Sequence, residues 1–157
     1  MRIAVNTRLL LKGKLEGIGW FAFESLKRIT RNHPEHQFIF IFDRPYSKDF
    51  IFSDNIIPVV VGPPARHPFL FYLWFDFQIP RILEKYRADL FLSPDGYLSL
   101  RTKVPQLAVI HDISFAHRPG DIPPMKRWYY NYFFPKFSRM AARIATVSNH
   151  SKADIIQ

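Results

Sequence analysis

An α/β fold with an open, doubly wound and mostly parallel sheet is what three features of this sequence predict. Six short apolar runs recur along it: RIAV (2–5), FIFIF (38–42), IIPVVV (56–61), DLFL (89–92), LAVI (107–110) and IATV (144–147). None carries a polar residue at every second position, so each suits burial on both faces, as in a parallel sheet covered by helices. Helical spacing recurs between the runs, and alternation of strand and helix disfavours an antiparallel sandwich.

The elements follow in order. After the strand at 2–5, Gly19, Ala22, Phe23, Leu26 and Ile29 fall at helical spacing. Arg28 and Arg31 lie near that helix's end, where the dipole favours cations. The strand at 38–42 completes a strand-helix-strand unit. A second helix is predicted over 69–86, preceded by Pro68 and kinked or split by Pro80. A third covers 125–142, entered through Pro123-Pro124, and Pro135 should prevent one uninterrupted helix. Ser148 or Asn149 is the expected N-cap of a last helix. That helix stops after about two turns with no closing glycine, so residues 1–157 read as one domain of a longer protein.

Composition narrows the function classes. The chain has 157 residues, 48% apolar and 17% aromatic, enough for one substantial core. A run of only three apolar residues, Ile3 to Val5, precedes Asn6-Thr7-Arg8, and the run FLFYLWF (69–75) is far short of the ~18 residues of a membrane span. Neither a signal peptide nor a transmembrane helix is therefore expected. The absence of cysteine excludes a disulfide framework and thiolate metal sites, which suits the cytoplasm. A net charge of +9 favours an acidic partner, such as nucleic acid, anionic lipid or a phosphorylated small molecule, and is equally compatible with a solvated surface.

Ligands of open parallel sheets bind beyond the carboxyl ends of the strands. Four stretches fall there: Asn6-Thr7-Arg8, SPDGY (93–97) with Asp95, HDISFAH (111–117) and SNHS (148–151). Gly17-Ile18-Gly19-Trp20-Phe21-Ala22 formally fits G-x-G-x-x-[GA], and Asp43 closes the second strand as a ribose carboxylate would. Eleven residues separate Val5 from Gly17, however, and a dinucleotide fingerprint needs its tight turn directly after the strand. Two readings of the glycines stay open: a close approach of an anion to helix N-terminal amides, or simple loop and cap residues.

For His111 and Asp112, at the end of a buried strand, four roles are open. They are general acid or base, hydrogen bonds that position a ligand, a metal pair with His117, and a structural tie to the 119–124 loop. The metal set is poor, since no second carboxylate or cysteine is nearby. His33, His36, His67 and His150 read as surface residues with no partner legible in the sequence. Residues 125–143 join Lys126, Arg127, Lys136, Arg139 and Arg143 to seven aromatics, Trp128 among them. Lys126, Arg127, Trp128, Lys136 and Arg139 could meet an anionic membrane surface, the rings could stack nucleic-acid bases, or they could simply pack on the sheet. No G-x-S-x-G elbow is present, so a serine hydrolase is excluded, and paired carboxylates for glycoside hydrolysis are unsupported.

Taken in order, NTRLL, the Gly-Ile-Gly loop, DLFLSPDGYLSL, PQLAVIHDISFAHRPGDIP and RIATVSNHSKADII resemble the N-terminal half of a GT-B glycosyltransferase of family 4 (group 1). The resemblance implies one Rossmann-like lobe of a two-domain enzyme that transfers sugar with retention from a nucleotide-diphosphate sugar, without an essential metal or cofactor. On that reading residues 1–157 are the acceptor-side lobe, inactive without a C-terminal donor-binding domain that lies outside this chain. Gly17 and Gly19 would lie near the donor diphosphate, His111 near the transferred sugar, and Asp112 would order its loop. Ser148 and Ser151 match the family's closing serine motif, and Arg8 and Asp95 complete the expected substrate contacts. Many relatives carry Arg and Tyr after the Gly-Ile-Gly loop; Trp20-Phe21 stands there here, and Arg8 is placed to compensate. The expected acceptor is a glycan or lipid-linked molecule of cell-surface polysaccharide or glycolipid synthesis, handled in the cytoplasm or at the inner membrane face. Nucleic acid is the disfavoured partner, with a stand-alone basic module for anionic lipid or nucleic acid as the alternative.

Overall fold

Apolar runs that bury both faces pair side by side only if helices cover the sheet on each side, and that is the arrangement adopted. The structure, a computed structural model, describes residues 1–113, 115, 120 and 122–156. Among them β1 (Arg2–Asn6), β2 (Gln37–Phe42), β3 (Ile56–Val60), β4 (Leu90–Ser93), β5 (Gln106–Val109) and β6 (Arg143–Ala145) form one sheet in the order β3-β2-β1-β4-β5-β6. Every neighbouring pair is parallel. This is the strand order of the Rossmann-like fold, and the direction of winding reverses between β1 and β4.

Alternate residues of β1 and β2 enter two cores. Ile3, Val5, Phe38 and Phe40 pack with Ala22 and Leu26 of α1 (Gly17–Asn32) on one face. Ala4, Ile39 and Ile41 face the other core, built on α2 (Pro68–Leu73), α3 (Ile79–Lys85) and α4 (Pro124–Met140). The chain crosses from β3 to β4 over that second face, so α1 and α2–α3 cover opposite sides. A short α5 (Asn149–Ile156) follows β6.

Two expectations are corrected, and a third, the splitting of the 69–86 helix near Pro80, is met. β6 is exposed at all three residues, because it forms an edge of the sheet rather than its interior. The predicted 69–86 helix is divided by a π-helical turn, Trp74–Gln78, just before Pro80. There the amide of Ile79 reaches back to the carbonyl of Trp74, and the wider turn makes room for a ring that would clash with residue 76 in a regular helix. Pro135, by contrast, leaves α4 continuous over 17 residues. Pro135 and Asn131, whose carbonyl loses its amide partner, both lie on the exposed face, where water can serve that carbonyl.

Candidate functional site

The ends of β1, β4 and β5 converge on one hydrogen-bonded cluster. Asn6 donates from Nδ2 to Ser93 Oγ at 3.1 Å and to Asp95 Oδ1 at 2.8 Å. Its own Oδ1 accepts from the Arg8 amide at 3.2 Å. Arg8 Nε donates to Asp95 Oδ2 at 2.7 Å, and Nη1 donates to the Ala65 carbonyl at 3.1 Å. The rings of Tyr97, Phe71 and Phe75 close around the guanidinium, with centroids 4.6, 5.0 and 5.8 Å from Cζ. Burial is the largest influence and opposes the Arg8 charge, but the Asp95 carboxylate and its hydrogen bond, with Tyr97 and Asp43, together outweigh it and hold the pKa above the ordinary arginine value. Two candidates for substrate contact, Arg8 and Asp95, are thus paired to each other, with side chains only 9% and 3% exposed.

Ser93-Pro94-Asp95-Gly96 is a turn whose Gly96 amide meets the Ser93 carbonyl at 3.4 Å. Gly96 takes φ +81°, a region open to glycine at little cost and strained for any residue with a side chain. The turn exposes the Pro94 carbonyl to His111, whose Nε2 lies 2.8 Å from it. A carbonyl only accepts, so Nε2 carries the proton of this bond. Phe21 of α1 meets the imidazole edge to face at 4.8 Å. His111 is therefore held by the turn after β4 and by the position where the glycine loop enters its helix.

A cavity of about 280 Å³ opens over these residues, lined by Arg8, Asp95, Tyr97, His111, Asp112 and Ile18 among others. It lies where the winding of the sheet reverses, the usual place for a ligand in such folds. Tyr97 donates its single hydroxyl proton to Tyr130 at 2.9 Å, and burial pushes its pKa far above the tyrosine range. A second hollow of about 380 Å³ shares Leu9 and Ile18 with the first and is lined by Lys14, Glu16, Gly17 and Gly19. Gly17 stands in open space, whereas a Cβ on Gly19 would come within 3.0 Å of the Leu9 carbonyl. Gly19 is thus required by packing of α1 against the preceding loop.

A Rossmann-like sheet with this cavity over its reversal point is common to many enzymes, so the family is decided by sequence. The model of Glycosyltransferase Family 4 matches residues 16–157. The chain belongs to glycosyltransferase family 4. No curated protein matches it significantly. The match begins at Glu16, so the family 4 model covers the glycine loop, the SPDGY turn, His111-Asp112 and the closing serines, while Arg8 stands outside it.

Within the family 4 domain the other expected residues separate into distinct places. Ser148 Oγ accepts from the Ser151 amide at 3.0 Å, so Ser148 rather than Asn149 caps α5, and the Ser148 hydroxyl also meets Ser151 Oγ. Ser148 lines a hollow beside β6 with Arg139, and His111 lines the other cavity. On α4, Tyr129, Phe133, Phe134 and Phe137 are buried, while Trp128 and Tyr132 are 61% and 49% exposed and stack on each other at 5.7 Å. Lys136 Nζ sits 3.4 Å from the Tyr132 centroid, and Lys126, Arg127 and Lys136 are half-buried rather than a free cationic row. The core-packing reading of this helix therefore holds for its four buried aromatics.

Asp43 is fully committed: it accepts from the Ala65 amide at 2.7 Å and from Arg44 Nε and Nη2 at 2.6 Å each. This overturns its reading as a ribose ligand, for its carboxylate is 0% exposed. The four surface histidines do have partners: His33 and His36 share Glu35, His67 accepts from the Phe69 amide at the start of α2, and His150 approaches Asp154. His117, the suggested metal partner of His111, lies outside the described residues. Sequence reasoning placed Asn6, Pro94 and Tyr97 in strand-end stretches and Phe21 in the glycine motif without assigning them roles, and it missed Ala65.

Proposed function

We propose that this chain is the acceptor-side lobe of a retaining glycosyltransferase, which moves a sugar from a nucleotide-diphosphate sugar to a glycan or lipid-linked acceptor. The observation that carries this reading is His111, fixed by the Pro94 carbonyl and Phe21 at the floor of a cavity that adjoins the glycine-bearing start of α1. With Nε2 held by Pro94, Nδ1 is the ring nitrogen that would meet a hydroxyl of the transferred sugar. Amides at the start of α1, with Lys14 beside them, would face the developing charge of the diphosphate leaving group. Arg8 and Asp95 then act as positioning residues, holding the SPDGY turn that holds His111. Asp112 would order the loop that follows, and Ser148 with Ser151 would face the donor side of the cleft. The reading needs a donor-binding domain outside these residues.

In the complete enzyme, His111→Ala should lower kcat by about 10²-fold or more with KM for the donor little changed. Absence of transfer from every nucleotide sugar tested, with the wild-type enzyme and a donor-binding domain present, would defeat the proposal.

The exposed Trp128 and Tyr132 support peripheral contact with an anionic membrane through α4. No described helix is long and apolar enough to cross a membrane. Retention on phosphatidylglycerol-containing vesicles should fall several-fold in Trp128→Ala/Tyr132→Ala and with added salt. Equal retention of the variant would remove α4 as the contact.

A further inference from the structure

At the end of the sheet opposite the cavity, three metal-binding side chains converge. α1 ends at Asn32 and the chain turns through His33-Pro34-Glu35-His36 into β2, with the His36 amide donating to the His33 carbonyl at 3.1 Å. Glu35 Oε1 lies between two imidazoles, 3.2 Å from His33 Nδ1 and 3.6 Å from His36 Nε2. All three atoms fall within 4.8 Å of one another, and the two rings stack at 5.7 Å, 13° from parallel.

The turn that carries them is braced from outside. Asn55, just before β3, donates from Nδ2 to the carbonyls of Thr30, His33 and His36 at 3.0, 3.1 and 3.0 Å. Its Oδ1 in turn accepts from Ser53 Oγ at 2.6 Å. Pro34 fixes one backbone torsion of the turn. The backbone is thus tied at both histidines while the side chains stay accessible at the surface, so binding an ion requires ordering side chains alone.

Zinc holds nitrogen and oxygen ligands at about 2.0–2.1 Å, and tetrahedral geometry then separates neighbouring ligand atoms by about 3.3 Å. Both separations involving Glu35 already approach that value; only the two imidazole nitrogens must draw together. We propose that His33, Glu35 and His36 form a surface site for one divalent transition-metal ion, with zinc as the type case. Two imidazoles and one carboxylate suit zinc, nickel or copper rather than the oxygen-seeking magnesium and calcium. The ion would tie the α1–β2 connection at the amino ends of the strands, far from His111, and its role is therefore independent of sugar transfer.

The test is calorimetric titration of the tag-free full chain with zinc alone, near neutral pH. One equivalent should bind, and His33→Ala, His36→Ala and Glu35→Gln should each weaken binding about tenfold or more. Asn55→Ala, which keeps all three ligands, should weaken it by a similar factor because the turn is no longer braced. His67→Ala and His150→Ala should bind as the wild type does. Zinc should also raise the Tm of the wild type and not that of His36→Ala. No zinc binding, or equal binding by the three ligand variants, overturns the site.

Discussion

Arg8 shows how one side chain can organise several loops at once. It reaches Asp95 from β4's turn and the Ala65 carbonyl from the loop after β3, and that loop is itself held by Asp43. A charge so buried is costly unless its partner stays in place. Asp95→Asn, which leaves the guanidinium without its carboxylate, should therefore cost about 3–5 kcal/mol of stability in urea denaturation. Adding Arg8→Met should restore part of that loss, since no lone charge then remains buried. His111 was legible as a site residue because an imidazole after a buried strand is chemically conspicuous. Its anchors were not, because Pro94 acts through a backbone carbonyl and Phe21 looks like any other apolar residue on a helix.

Among the elements, one internal proline acts as the sequence leads one to expect and the other does not. Pro80 is half-buried and divides its helix, its steric conflict absorbed by the π-helical turn Trp74–Gln78. Pro135 lies on the solvent face of α4 and disturbs nothing that water cannot serve. The same π turn buries Asp76, which accepts from the Leu100 amide at 2.6 Å and from Ser99 Oγ at 3.4 Å. Burial raises its pKa despite those bonds. An acid raised in the folded state contributes stability that is fully present below its unfolded pKa of about 3.9 and is lost as pH rises through the folded value. Asp76→Asn keeps the acceptor without the charge. Its stability relative to wild type should improve as pH rises from acid to neutral, followed by urea midpoints across that range.

Over the whole molecule, protection follows the depth of the sheet. β1 and β2, with Ala4, Val5, Ile39 and Ile41 at 0% exposure, lie between two helical layers, whereas β6 is an exposed edge. Native-state hydrogen exchange should be slowest at β1 and β2 amides and fastest among the strands at β6, with uniform protection counting against this layering. The sequence by itself determined the alternation of strands and helices, the doubly wound class and the placing of His111-Asp112 at a strand end, because these depend on periodicity and on neighbours along the chain. Strand boundaries fell within a residue or two for the same reason. Only the tertiary structure decided the partners: Arg8 pairs with a carboxylate 87 positions away, and Asn55 braces a turn 19 to 25 positions earlier. In a parallel sheet, adjacent strand ends come from distant segments joined by crossovers, and no local pattern records which side chains will meet there.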